Sequence, residues 1–119
     1  MIEKVYRYEF ESGCKNPHTG ILAGLDEIFK DDRDTLLLLR LCWFFEDKLY
    51  APDIPSNIET ISYFTRHGNR AFHKAIKEIK NVTKAKYGID VIRIERGLDL
   101  ETVEIVYQDK HQIIIKRED

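Results

Sequence analysis

Cys14 and His18, spaced C-x3-H, are the first residues in this chain whose types and spacing could do chemistry, with Cys42, His67 and His73 elsewhere. Zinc sites present two close pairs of Cys or His ligands, and one loose pair does not build a tetrahedral cage. His67 and His73 stand six apart, whereas a shared helical face needs three or four. No metal site is expected. A Cys–His nucleophile fares no better: no glycine-flanked nucleophile turn occurs, and Cys42 lies in "LCWFF", where a buried, inert thiol is expected. A metal-dependent nuclease would place an acid on one strand and acid-x-Lys on the next. Glu78-Ile79-Lys80 has those letters, but inside a helical pattern. Gly20 and Gly24 are too sparse to cradle phosphate, so no cofactor is expected from the residues themselves.

The positive signal is electrostatic. Between Arg66 and Lys86 the chain carries seven Lys and Arg against the single Glu78, although its net charge is −2. Arg66, Arg70, Lys74, Lys77 and Lys84 step mostly by three or four, so they run along one side of a helix, with Lys80 flanking. Such a row can neutralise phosphates or oppose an acidic surface. It is also what the wet side of any amphipathic helix looks like. Tyr63, Phe64, His67 and Asn69 at one end are the stacking and polar residues that a nucleic-acid binder adds.

The elements that must position this row follow from periodicity. "EKVYRYEFES" alternates Tyr6, Tyr8 and Phe10 with Arg7, Glu9 and Glu11, a half-buried strand. Residues 12–20 read as a loop, and Ile21, Leu25, Ile28 and Phe29 as a short helix. Asp34 is a candidate N-cap for "TLLLLRLCWFFEDKL", which is apolar nearly all round and reads as a buried central helix enclosing Trp43. Residues 57–65 are ambiguous. Ser56 and Glu59 match a capping box, yet "TISYFT" is β-branched and aromatic, which favours a strand. Asn69 to Lys86 reads as one helix with Phe72, Ala75, Ile76, Ile79 and Val82 inward, stopped by Gly88. The tail reads as a three-stranded meander: "IDVIRIE", a turn at "RGLD", "ETVEIVY", a turn at "QDK", then "HQIIIK". The expectation is one α+β domain over 1–119, its mainly antiparallel sheet made of the N-terminal strand and the C-terminal meander and covered by three helices.

Length and composition agree with a folded chain: 119 residues, 43% hydrophobic, with Trp43, six Tyr and six Phe. The two cysteines, in unlike contexts, read as free thiols of a reducing compartment. The start lacks a basic region followed by an apolar stretch, and the run Leu36 to Phe45 is too short to span a bilayer. A cytoplasmic location without membrane attachment is expected.

Three segments carry a family resemblance. "VYRYE" (5–9), "SYFT" (62–65) and "VYQDKHQIII" (106–115) resemble the strands of small phage and mobile-element proteins with a minimal ADP-ribosyltransferase layout. The resemblance implies a nicotinamide-dinucleotide pocket in which Arg7 grips the diphosphate or ribose, Thr65 braces the pocket and Gln112 occupies the catalytic acid's place. Gln112 departs from the pattern, since an amide cannot replace a carboxylate there; Glu104 is the nearby acid. The residues favour a different reading: a non-enzymatic protein that docks through the basic helix 66–86 on a larger protein or nucleoprotein with an acidic or phosphate surface. A phage or mobile-element accessory factor that inhibits a host defence enzyme would work this way. The transferase and a weak nucleic-acid-binding module are the alternatives.

Overall fold

The first strand forms, but it is not half-buried: Val5 and Glu9 on its second face are buried as well. In the computed structural model, which describes residues 2–16, 19–29 and 36–117 but not the side chains of 26, 36–39 and 42, β1 runs Ile2–Phe10 with Tyr6, Tyr8 and Phe10 buried. The order continues with α1 (Ile21–Ile28), α2 (Leu36–Lys48), β2 (Thr60–Phe64), α3 (Arg66–Ala71), α4 (His73–Tyr87), β3 (Val91–Asp99), β4 (Ile105–Gln108) and β5 (Gln112–Lys116). This is an α+β fold with one five-stranded sheet, in the order β3-β1-β2-β5-β4. Asp34 and His18 lie outside the described residues, as does the Cys42 side chain.

The sheet is antiparallel: β2 pairs with β1 and β5, and β4 with β5. Lys4 meets Glu95 at 3.2 Å, Arg93 lies over Tyr6, and the space beside Gly97 is taken by Ile2, so β3 also runs antiparallel to β1. All three C-terminal strands form, but not as a contiguous meander. β4 and β5 make a hairpin beside β2, while β3 sits at the far edge beside β1. The reason is local. β3 does not turn at "RGLD" but continues to Asp99, and the turn comes after it. The Asp99 carbonyl accepts the N–H groups of Thr102 and Val103, and its carboxylate accepts that of Glu101.

Chain contacts cluster in two compact units: Met1–Arg7, Pro52–His73 and Arg93–Asp119 form one, and Tyr8–Ala51 with Lys74–Ile92 the other. In the first, Val5, Tyr63, Leu98, Ile113 and Ile115 form a core bordered by Ile61, Leu100 and Val103. Cross-strand partners share a face. Tyr6 stands opposite Phe64 and Phe64 opposite Gln112, so these three occupy the other face.

In the second unit the Phe29 and Tyr87 rings meet edge-on at 5.3 Å, and Arg40 pairs with Glu78. α2 is not buried all round. Leu41 and Phe45, four apart, are buried, whereas Trp43 between them is 60% exposed and Phe44 37%. Two residues from either neighbour, Trp43 is turned about 200° around the helix, away from their stripe. Gly88 ends α4 at φ +69°, its N–H and that of Ile89 closing on the carbonyls of Lys84 and Thr83.

The single helix expected over 69–86 is two. Phe72 leaves helical geometry at φ −101°, ψ 8° between α3 and α4, so the described residues form four helices rather than the three expected. Its ring, 1% exposed, contacts Phe64 at 5.7 Å and His111 at 5.2 Å. Burying that ring outweighs one uninterrupted turn of helix. Within 57–65 the strand alternative holds for Thr60–Phe64, which is β2; Ser56 caps no helix, and the helix start is at Thr65.

Candidate anion-binding site

Thr65 is where the sheet hands the chain to α3. Its hydroxyl oxygen accepts the Gly68 N–H at 3.0 Å and donates to the Lys110 carbonyl at 2.6 Å, while its N–H donates to the His111 carbonyl at 3.0 Å. One bond caps α3 and the other two lock its start to the β4–β5 turn. Gly68 makes the approach possible: a Cβ there would overlap the His111 carbonyl. The turn is itself tied by Asp109, whose carboxylate accepts the Tyr107 hydroxyl at 2.8 Å and the N–H groups of His111 and Gln112 at 2.8 and 3.0 Å. Burial alone would raise the Asp109 carboxyl, but these hydrogen bonds outweigh it and hold the group below its ordinary 3.8. His111 packs on the His67 ring at 5.1 Å and against Phe72. Its Nδ1 is buried without a hydrogen-bond partner among the described residues. Burial, with Lys110 and His67 alongside, pushes its pKa below the ordinary 6.5 against the pull of Asp109.

Held this way, α3 and the first residue of α4 present Arg66, Asn69, Arg70 and His73 around an open hollow of about 340 Å³ whose remaining wall is Tyr6. Arg66, Asn69 and Arg70 share one side of α3, and His73 joins them from beyond the break at Phe72. Arg66, Arg70 and His73 are exposed and have no acidic partner among the described residues. Lys4 and Arg93 also lie against the Tyr6 ring, at 5.9 and 5.1 Å, but both are paired with the one Glu95 carboxylate. Two guanidiniums and an imidazole open to one space have the donors to hold an anion.

The remaining candidates scatter. Lys74, Lys77 and Lys84 are exposed on α4 in the other unit, and Lys84 is paired with Asp90 at 3.0 Å. Tyr63 and Phe64 are 4% and 8% exposed, too buried to stack on bases. Arg7 neighbours Tyr6 in β1 and so points to the opposite face from Tyr6, Phe64 and Gln112. Its guanidinium donates to the Ser62 carbonyl at 2.8 Å. Arg7 and Gln112 therefore share no cleft, and Gln112 is 6% exposed. Thr65 does brace this region, as a helix cap. Cys14 is a free thiol whose pKa is raised by burial and by Glu27, the reverse of an activated nucleophile. Among the described residues no His, Cys, Asp or Glu cluster could hold a metal, and no helix is long and apolar enough to cross a membrane.

Sequence reasoning had Arg66 and Arg70, and Asn69 as a polar neighbour at the end of the basic row. It weighed His73 as a metal ligand and not as part of that row, although helical spacing places it near Arg66 and Arg70. Tyr6 was not findable from spacing, because it arrives through the pairing of β1 with β2. No protein-family model, curated protein sequence or solved structure matches the chain.

Proposed function

We propose that this is a non-enzymatic binding protein that docks on an anionic surface of a larger macromolecule, using the hollow at Arg66, Arg70 and His73. The observation that carries the reading is the convergence of these three cationic or basic side chains, without acidic partners among the described residues, on one open space. Structural cations are normally compensated nearby; cations left open in a concavity favour a ligand's charge. Such a protein acts by occupying a surface, the mode of an inhibitor or accessory factor. The transferase alternative loses support because Arg7 and Gln112, two of its three implied residues, stand on opposite faces of the sheet.

Retention on a heparin column tests the reading. The double variant R66E/R70E should fold normally by circular dichroism and elute at markedly lower salt than the wild type, because attraction becomes repulsion. K74E/K77E makes the same charge change outside the hollow and should lose less. Equal retention of R66E/R70E and wild type would sink the proposal.

A further inference from the structure

The hollow offers its charge at one place, and that constrains what it can hold. A nucleic-acid backbone presents singly charged phosphodiesters at regular intervals, and proteins that bind it answer with a row of spaced cations. Here the cations beside Tyr6 on β1 and β3, Lys4 and Arg93, are already held by Glu95. On α4, Lys84 is held by Asp90. Lys74, Lys77 and Lys80 on α4 are also exposed without an acidic partner among the described residues, but they do not line the hollow. The charge of the hollow itself is concentrated: Arg66 and Arg70, one turn apart on α3, with His73 at the start of α4, line the same space. A phosphomonoester carries roughly −1.5 to −2 charges and three acceptor oxygens on a single phosphorus, which matches two guanidinium forks. The volume of about 340 Å³ is at the low end for small-ligand sites, which span roughly 300–1,000 Å³.

We infer that the hollow takes one terminal phosphate, a phosphomonoester, rather than a run of backbone phosphodiesters. This rests on the anion-docking reading above and narrows it. Arg66 and Arg70 grip the phosphate oxygens, His73 adds a third ring-nitrogen contact, and Tyr6 closes the apolar side. The phosphate belongs either to a free nucleotide-sized molecule or to the end of a nucleic-acid strand.

Calorimetric titration at low salt separates these possibilities, with AMP, adenosine, the dinucleoside monophosphate ApA, and oligothymidylate with a 5′-phosphate or a 5′-hydroxyl as probes. AMP should bind saturably and adenosine should not. Esterifying the phosphate, as in ApA, should weaken binding, and R66Q or R70Q should each weaken AMP by at least about tenfold, the scale of a lost charge-assisted bond. K77Q, outside the hollow, should bind AMP as the wild type does. Should either glutamine variant fail to fold, R66K and R70K keep the charge without the fork and should still bind AMP more weakly. A 5′-phosphorylated strand that binds far better than both AMP and its hydroxyl counterpart identifies a strand end; equal affinity for AMP and the phosphorylated strand identifies a free nucleotide. ApA binding as tightly as AMP, or wild-type AMP binding by R66Q/R70Q, overturns the inference. If AMP gives no saturable binding while R66E/R70E still abolishes heparin retention, the phosphomonoester assignment fails and the broader docking reading stands.

Discussion

Thr65 and Gly68 set the geometry of the hollow without lining it. Thr65 is 6% exposed, and its hydroxyl serves both the Gly68 N–H and the Lys110 carbonyl. Thr65→Ala removes a helix cap and leaves a carbonyl short of a partner, a cost of about 2 kcal/mol. Thr65→Ser keeps the oxygen and should recover most of it. Urea denaturation of the two variants makes the comparison; equal loss in both would mean that the methyl, not the hydroxyl, matters. At Gly68 the obstacle is backbone, since an added Cβ meets the His111 carbonyl, which cannot rotate aside. Gly68→Ala should cost about 1–3 kcal/mol, the range for overpacking, and should perturb the His111 and Phe72 resonances.

Among the elements, α2 and the pair α3–α4 show how packing overrules pattern. α2 buries Leu41 and Phe45 but leaves Trp43 60% exposed. Trp43→Ala should therefore shift stability by only ~0.5 kcal/mol, and Trp43 emission in the folded protein should be close to that of the ring in water. Phe45→Ala empties a packed site and should cost about 3–5 kcal/mol. Blue-shifted emission, or a Trp43→Ala loss as large as that of Phe45→Ala, would contradict this orientation. The same logic splits the helix at Phe72, whose ring is worth more against Phe64 and His111 than an unbroken helical path.

For the molecule as a whole, the β4–β5 turn makes global stability pH-dependent in two windows. His111 has its folded pKa lowered from 6.5, so its contribution is complete above that value. As pH falls below it, the unfolded chain takes up a proton that the native His111 resists, and stability declines toward the depressed native value. Asp109, lowered from 3.8, acts in the same direction in a second window: its contribution holds above that value and is lost as pH drops further. Denaturation midpoints measured from neutral pH to pH 3 should fall in both steps. His111→Gln should remove the upper step and leave the lower. An unchanged upper step in that variant would assign it to another histidine.

What the sequence determined by itself is whatever short-range order encodes. Alternation marked β1; β-branched and aromatic composition marked β2 and β5; helical spacing marked the body of α4; Gly88 marked its end through a left-handed backbone. The clustering of Arg66 and Arg70 was legible because residues four apart on a helix are neighbours. Periodicity shows which side of an element is apolar, but not which element covers it. Tertiary structure decided the rest. β3 went to the far edge beside β1, where its strand runs on through Gly97 and packs against Ile2. Trp43 faced outward because Leu41 and Phe45 define the buried stripe. Tyr6 came to close the hollow beside Arg66 and Arg70 because it pairs with Phe64, a contact 58 positions along the chain. That pairing is a long-range choice among strands of similar composition, and it turned Arg7 to the opposite face by the same one-residue alternation.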